Sequence, residues 1–179
     1  MKTSFQLKAL AFFFCAFFVS SVAFGQGGAP QSPRDSVSGT VKGANIKIAF
    51  GAPSVRGRKI FGDGGLQPYG KNWRAGANQM TTFQTDKAIT IEGKPLPAGK
   101  YSLFANPGVT EWTITLNSVT GQWGIKRDGS ANDDPSKDVL AVNVKPVNLP
   151  DLVERMTFKI TDSGFALVWE HTEVPVRIN

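Results

Sequence analysis

The amino-acid sequence predicts an all-β protein, an antiparallel β-sandwich, and three observations carry that expectation. Apolar and polar residues alternate with period two along most of the chain. No segment holds a 3.6-residue apolar stripe over three turns. Glycine and proline, 19 and 11 of 179 residues, interrupt the alternation at the short intervals at which sandwiches and barrels turn. A closed β-barrel is the nearest rival architecture. The same composition argues against a long-helix bundle, a coiled coil and a transmembrane bundle. Neither an internal repeat nor a domain boundary is visible.

Residues 1–25 read as a secretory signal peptide. Lys2 and Lys8 precede and flank an apolar run over 9–19, and Ser20, Ser21 and Ala23-Phe24-Gly25 put small residues three and one before a cut at Gln26. The run is shorter than the ~20 residues a membrane span needs. The expectation is an exported protein, periplasmic or extracellular, with no stable membrane span after processing. Cys15 is the one cysteine, and Phe12, Phe13 and Phe14 occupy positions where a lipoprotein needs small residues. A chain cleaved after Gly25 has no disulfide, no thiol nucleophile and no cysteine-bound metal. The formal net charge of +6 loses Lys2 and Lys8, and no run of five basic residues exists, so the charge points to solubility and not to nucleic acid. Residues 26–35 read as a flexible polar leader, and 36–179 as a single sandwich domain.

Within that domain the elements follow in order. Residues 45–50 place Ile46, Ile48 and Phe50 on one face. Residues 80–85 are threonine-rich and extended. Ile89 and Ile91 lead into the turn Glu92-Gly93-Lys94. Pro97-Ala98-Gly99 turns the chain into 100–105, which carries Leu103, and Asn106-Pro107-Gly108 turns it again. Trp112, Ile114 and Leu116 alternate with polar partners. After a polar loop, Leu140, Val142 and Val144 share a face, as do Met156, Phe158 and Ile160. Asp162-Ser163-Gly164 turns into 165–169 with Leu167 and Trp169 inward, and Val174, Val176 and Ile178 close the chain. The pattern amounts to about nine strands, with a short helix near 69–77 as the one helical element the sequence allows.

Residues 53–79 do not read as sheet. They hold six glycines and the basic residues Arg56, Arg58, Lys59, Lys71 and Arg74 against one acid, Asp63, together with Tyr69 and Trp73. Long irregular connections are uncommon in compact domains and are often functional. Guanidinium forks suit carboxylate, phosphate or vicinal hydroxyls. Aromatic faces suit sugar rings or apolar ligands, and an asparagine amide both donates and accepts. Arg58, Tyr69, Trp73, Arg74 and Asn78 are therefore the candidate binding residues, expected on one concave surface. The competing reading is an Ω-loop packed by its own side chains, with Trp73 plugging one end of the sandwich.

The segments Pro-Ser-Val-Arg-Gly-Arg-Lys-Ile-Phe-Gly (53–62), Pro-Tyr-Gly-Lys-Asn-Trp-Arg-Ala-Gly-Ala-Asn-Gln (68–79), Leu-Pro-Ala-Gly-Lys-Tyr-Ser-Leu-Phe-Ala (96–105) and Glu-Trp-Thr-Ile (111–114) resemble one family. It is the uncharacterised secreted bacterial family known as domain of unknown function 2911, and the resemblance runs from about Ser32 to Ile178. It implies an exported compartment. It implies no activity and transfers no catalytic residue. Gly62-Asp63-Gly64-Gly65 looks like a slight expansion of the turn the family makes after its Ile-Phe-Gly.

Catalytic chemistry has little to build on. His171 is the one histidine, no Gly-x-Ser-x-Gly elbow accompanies it, and it reads as a strand-end residue. One histidine and no mature cysteine make a zinc site improbable. Asp128, Ser130, Asn132 and Asp134 space oxygen ligands like the start of a calcium loop. Asp133 then replaces the required glycine and Val139 the bidentate glutamate, so a solvated turn is favoured over a weak calcium site on Asp128, Asp133, Asp134 and Asp138. No cofactor motif is present. Of the acids, only Glu111 and Glu170 have an apolar sequence setting that could suit the facing carboxylates of a glycosidase. The expected function is a non-catalytic binding module for a small molecule, a glycan, an anionic envelope component or an envelope protein. A carboxylate-based hydrolase and a purely structural envelope domain are the alternatives.

Overall fold

The computed structural model describes residues 30–179. The signal-peptide reading of 1–25, with Cys15, and the first part of the leader lie outside the described residues. The rest is all-β and antiparallel, two packed layers that do not close into a barrel.

The larger layer is a six-stranded sheet in the order β1 (Arg34–Val41), β2 (Ala44–Gly51), β3 (Thr82–Thr85), β6 (Gly99–Asn106), β7 (Trp112–Asn117) and β8 (Asp138–Val144). The second layer is built on the long hairpin of β9 (Val147–Thr161) and β10 (Gly164–Arg177). The short ribbon of β4 (Ile89–Ile91) and β5 (Lys94–Leu96) joins it through a bridge between Ile91 and Ile178. Among the described residues the one helical element is a 3₁₀ turn at Pro135–Lys137, and no helix is long and apolar enough to cross a membrane.

The core follows the alternation. Ile46, Ile48, Phe50, Phe83, Leu103, Trp112, Ile114, Leu116, Leu140, Val142 and Val144 project from the first sheet onto Met156, Phe158, Phe165, Leu167 and Trp169 of the second. Each such burial contributes roughly 1.5–3 kcal/mol. Phe50 meets Phe158 edge-on at 5.0 Å between ring centroids. Ile160, expected inside, is only partly buried at the margin.

The strand count differs from the expectation in instructive ways. β1 begins at Arg34, inside the stretch read as leader, and only Val37 and Val41 among its residues are apolar. It is an edge strand held by its backbone ladder to β2, and polar composition is how edges are protected. A Cβ at Gly39 would lie 2.9 Å from the Ile160 side chain of β9, which would have to shift to admit it. β5 is three residues with a central proline, admissible because β5 is the outer strand of its ribbon. Conversely, 165–169 and 174–177 lie on one strand, and Ile178 follows directly after it. The inward phase changes from odd to even positions across Glu170, whose φ is 56°, with register shifts on both sides of it. The helix allowed near 69–77 does not form. Gly70, Ala75 and Asn78 have positive φ, and Trp73 exchanges backbone hydrogen bonds with Ala105 of β6 at 2.8 Å each.

Candidate functional site

The irregular stretch after β2 is a wall shared by both layers. Leaving Gly51, the chain crosses to the second layer and pairs with the outer edge of β9. The Val55 amide donates to the Glu154 carbonyl at 2.8 Å, and the Met156 amide to the Pro53 carbonyl at 2.9 Å. Arg56 and Gly57, both left-handed, turn it. Arg58 secures the turn by donating to the Val55 and Ser54 carbonyls at 3.1 and 2.7 Å. Ile60 and Phe61 then dip into the core. On the return, 70–73 takes the place beside β6 that β3 leaves empty, and the Gly70 amide donates to the Pro107 carbonyl at 2.8 Å. The chain finally passes against Gly51, where any Cβ would fall 1.9 Å from the Ala77 carbonyl oxygen; only glycine permits that approach.

A second loop, between β7 and β8, folds over this wall. Ile125 bridges Ala131, and Met80, Phe104 and Ala131 form a small core beneath. Asn72 donates to the Asp133 carboxylate. Gly124 has φ 90° and admits the Met80 sulfur and the Arg74 stem, which a Cβ would meet at 2.6 and 3.0 Å.

Between the two loops lies a cavity of about 760 Å³, within the range of small-molecule sites. Trp73 and Trp169 form part of its lining, their rings stacked at 5.8 Å and 27°. Arg56, Arg58, Lys71, Arg74 and Lys126 contribute cations, and Asp133 is the one carboxylate in the lining. Arg74 is half-buried. It makes long contacts to the Gly76 and Trp123 carbonyls, 3.4 and 3.3 Å, with its guanidinium carbon 6.0 Å from the Trp123 ring centroid. Desolvation lowers its pKa from the usual arginine value, although a guanidinium stays charged. The Trp169 indole Nε1 is buried without a hydrogen-bond partner among the described residues.

Of the five residues singled out from sequence, Arg58, Trp73 and Arg74 line the cavity. Trp73 is only 5% exposed and its indole donates to the Gly76 carbonyl at 2.9 Å. Its face is committed to Trp169 and Phe61, so the open aromatic platform expected of it is mostly packing. Tyr69 and Asn78 are not in the lining. Tyr69 stands against Gly62 and borders a separate hollow of about 220 Å³ with Val109 and Val147. Asn78 is left-handed and donates to the Ser32 carbonyl at 2.8 Å, a loop tie. Arg56, Lys71, Lys126, Asp133 and Trp169 join the site instead. The first two belong to the basic set already visible in 53–79. Trp169 carries a core signal, and nothing local connects Lys126 or Asp133 to a segment some fifty residues earlier.

The other acidic candidates are dispersed. Asp128 accepts from Ser130 and Asp134 from Ser136, and these hydrogen bonds hold both carboxyls below their usual pKa. Asp138 accepts from Asn117. Among the described residues no three His, Cys, Asp or Glu side chains form a group fit to hold a metal. Glu111 is exposed, against the apolar setting its neighbours suggested. Glu170 accepts the His171 amide at 3.0 Å, and the His171 ring meets the Leu149 carbonyl at 3.1 Å.

Comparison with known proteins agrees with the motif resemblance. No curated protein and no solved structure matches the chain. Residues 32–178 match the family described as "Protein of unknown function (DUF2911)". That span takes in the six-stranded sheet from β1, both walls of the cavity and the closing hairpin, so the chain belongs to the DUF2911 family.

Proposed function

We propose that the protein is an exported, non-catalytic binding module that takes a small molecule or a short glycan into the cavity between the 53–79 and 119–134 loops. The observation that carries this reading is the cavity itself: guanidinium and ammonium groups from two loops meet there, over a floor of packed indoles, in a hollow of ligand size. Hydrolysis of a glycosidic bond by the usual pair needs two carboxylates facing each other, and the lining supplies Asp133 alone, which already accepts from Asn72. Export rests on the sequence of residues 1–25.

A thermal-shift screen of residues 26–179 against glycans and metabolites tests it. A ligand at 100 times its Kd adds about 2.7 kcal/mol to stability. Arg74→Ala is expected to abolish that shift while the unliganded protein stays folded. A hit whose shift survives Arg74→Ala, or a panel without any hit, counts against the reading.

A further inference from the structure

We infer that the ligand carries an oxyanion, a carboxylate or a phosphate ester on a sugar-sized scaffold, held by Arg74 and Lys126 together with the cations of the 53–79 loop. This rests on the binding reading above and narrows its chemistry.

The first support is an unbalanced charge. Five cations line the cavity against one carboxylate. Among the described residues the one ion pair joins Lys159 to Glu173, on the β9–β10 hairpin and not in the cavity lining. The lining arginines spend their hydrogen bonds on neutral carbonyls: Arg58 on Ser54 and Val55, Arg56 on Gln31, Arg74 on Gly76 and Trp123. Each guanidinium has five N–H groups in a planar fork, so each keeps donors in reserve, and the fork matches carboxylate and phosphate oxygens. Arg74 is the sharpest case, since it is half-buried without any acid beside it.

The second support is a buried donor. Trp169 lines the same cavity, and its Nε1–H has no acceptor among the described residues. Nearly all such groups in native proteins are satisfied; Trp169 is 0% exposed, so an oxyanion, rich in acceptors, meets this donor only where the wall gives way to admit it.

The third is backbone strain. Six non-glycine residues have positive φ among the described residues. Lys42 and Glu92 are at hairpin turns. The other four, Arg56, Ala75, Asn78 and Glu170, lie in the cavity lining or within two residues of it. Left-handed non-glycine residues persist where the surroundings over-determine them, and they gather at ligand clamps. Here Arg56 is itself left-handed, and the other three fix the chain just after Arg74 and just after Trp169.

Calorimetric titration of residues 26–179 with trigalacturonate, glucose 6-phosphate and, as the uncharged match, maltotriose separates the outcomes. The acidic ligands are expected to bind at least about tenfold more tightly than maltotriose, the effect of roughly one charge-assisted hydrogen bond. Their affinity should fall as salt rises from low to physiological strength. Lys126→Gln, at an exposed side chain, should weaken the acidic ligands several-fold and more than it weakens maltotriose, with an unchanged circular dichroism spectrum showing that the variant is folded. Preference between the first two ligands tells carboxylate from phosphate. Maltotriose binding as tightly as the acids, or acid affinity indifferent to both salt and Lys126→Gln, overturns the oxyanion assignment and leaves a binding module standing. If none of the three binds while an uncharged ligand from the thermal-shift screen does, the oxyanion assignment alone falls; if an anionic one does and loses affinity with salt, the assignment stands; if nothing binds in either experiment, both readings fall.

Discussion

Arg74 and Trp73 are neighbours in sequence with different physical roles, and substitution tells them apart. Arg74 contributes two long hydrogen bonds to carbonyls, one of which also receives the Trp73 indole. Its removal should therefore cost the free protein only about 0.5–1.5 kcal/mol, a melting-point drop of a few degrees for a domain near this size. Trp73 is packed between Phe61 and Trp169. Trp73→Ala should cost about 3–5 kcal/mol by opening a void in the core, measurable as a shifted urea midpoint with no ligand present. A near-neutral Trp73→Ala would mean that the ring serves the cavity and not the core. The contrast also explains why both looked alike beforehand: in a glycine-rich run without alternation, nothing local distinguishes a tryptophan that faces a ligand from one that faces another tryptophan.

At the scale of elements, hydrogen-bonded carboxylates at turns set the acid response. Asp86, in the turn after β3, accepts both the backbone and the side-chain amide of Asn45 at 2.7 Å. Those bonds hold its carboxyl below the usual range, and Asp128 and Asp134 are lowered by their serine partners. A depressed folded-state pKa stabilises the fold above the unfolded value, and the contribution is lost as pH falls through the folded value. Stability measured by urea titration should thus decline on acidification below the ordinary carboxylate range, and Asp86→Asn should flatten part of that decline. The elements themselves were legible where side chains alternate: β2, β7, β8 and the inner halves of β9 and β10 could be placed by pattern because one face is buried. β1 and β5 were not, since a polar edge strand and a three-residue ribbon owe their conformation to a partner's backbone. The single strand β10 reads as two because the left-handed Glu170 reverses which parity faces inward. Half of the site was legible for a similar reason. Its 53–79 wall is contiguous, whereas Lys126, Asp133 and Trp169 arrive from distant segments through tertiary packing.

For the molecule as a whole, most pairing is between strands close in sequence: β1 with β2, β6 with β7, β9 with β10. The bridge of Ile91 to Ile178 is one exception, and the cavity wall is another. The ties between 53–56 and 154–156 include an Arg56 amide bonded to the Glu154 carboxylate 98 positions away. Closing so long a loop is entropically expensive, so it is expected to follow the local hairpins. The same ties lie along the edge of β9 that faces away from β10, so neither sheet's strand pairing depends on them. Amide hydrogen exchange should accordingly find Val55, Arg56 and Met156 releasing their protons well before Ile48, Leu103 or Leu167, by sub-global opening. A saturating ligand should slow the first group and leave the second unchanged, and uniform exchange across the two groups would argue for a wall as rigid as the sheets. The crossover from β2 to β9 would then be the door of the cavity as well as its wall, with ligand capture coupled to the last step by which the chain completes its fold.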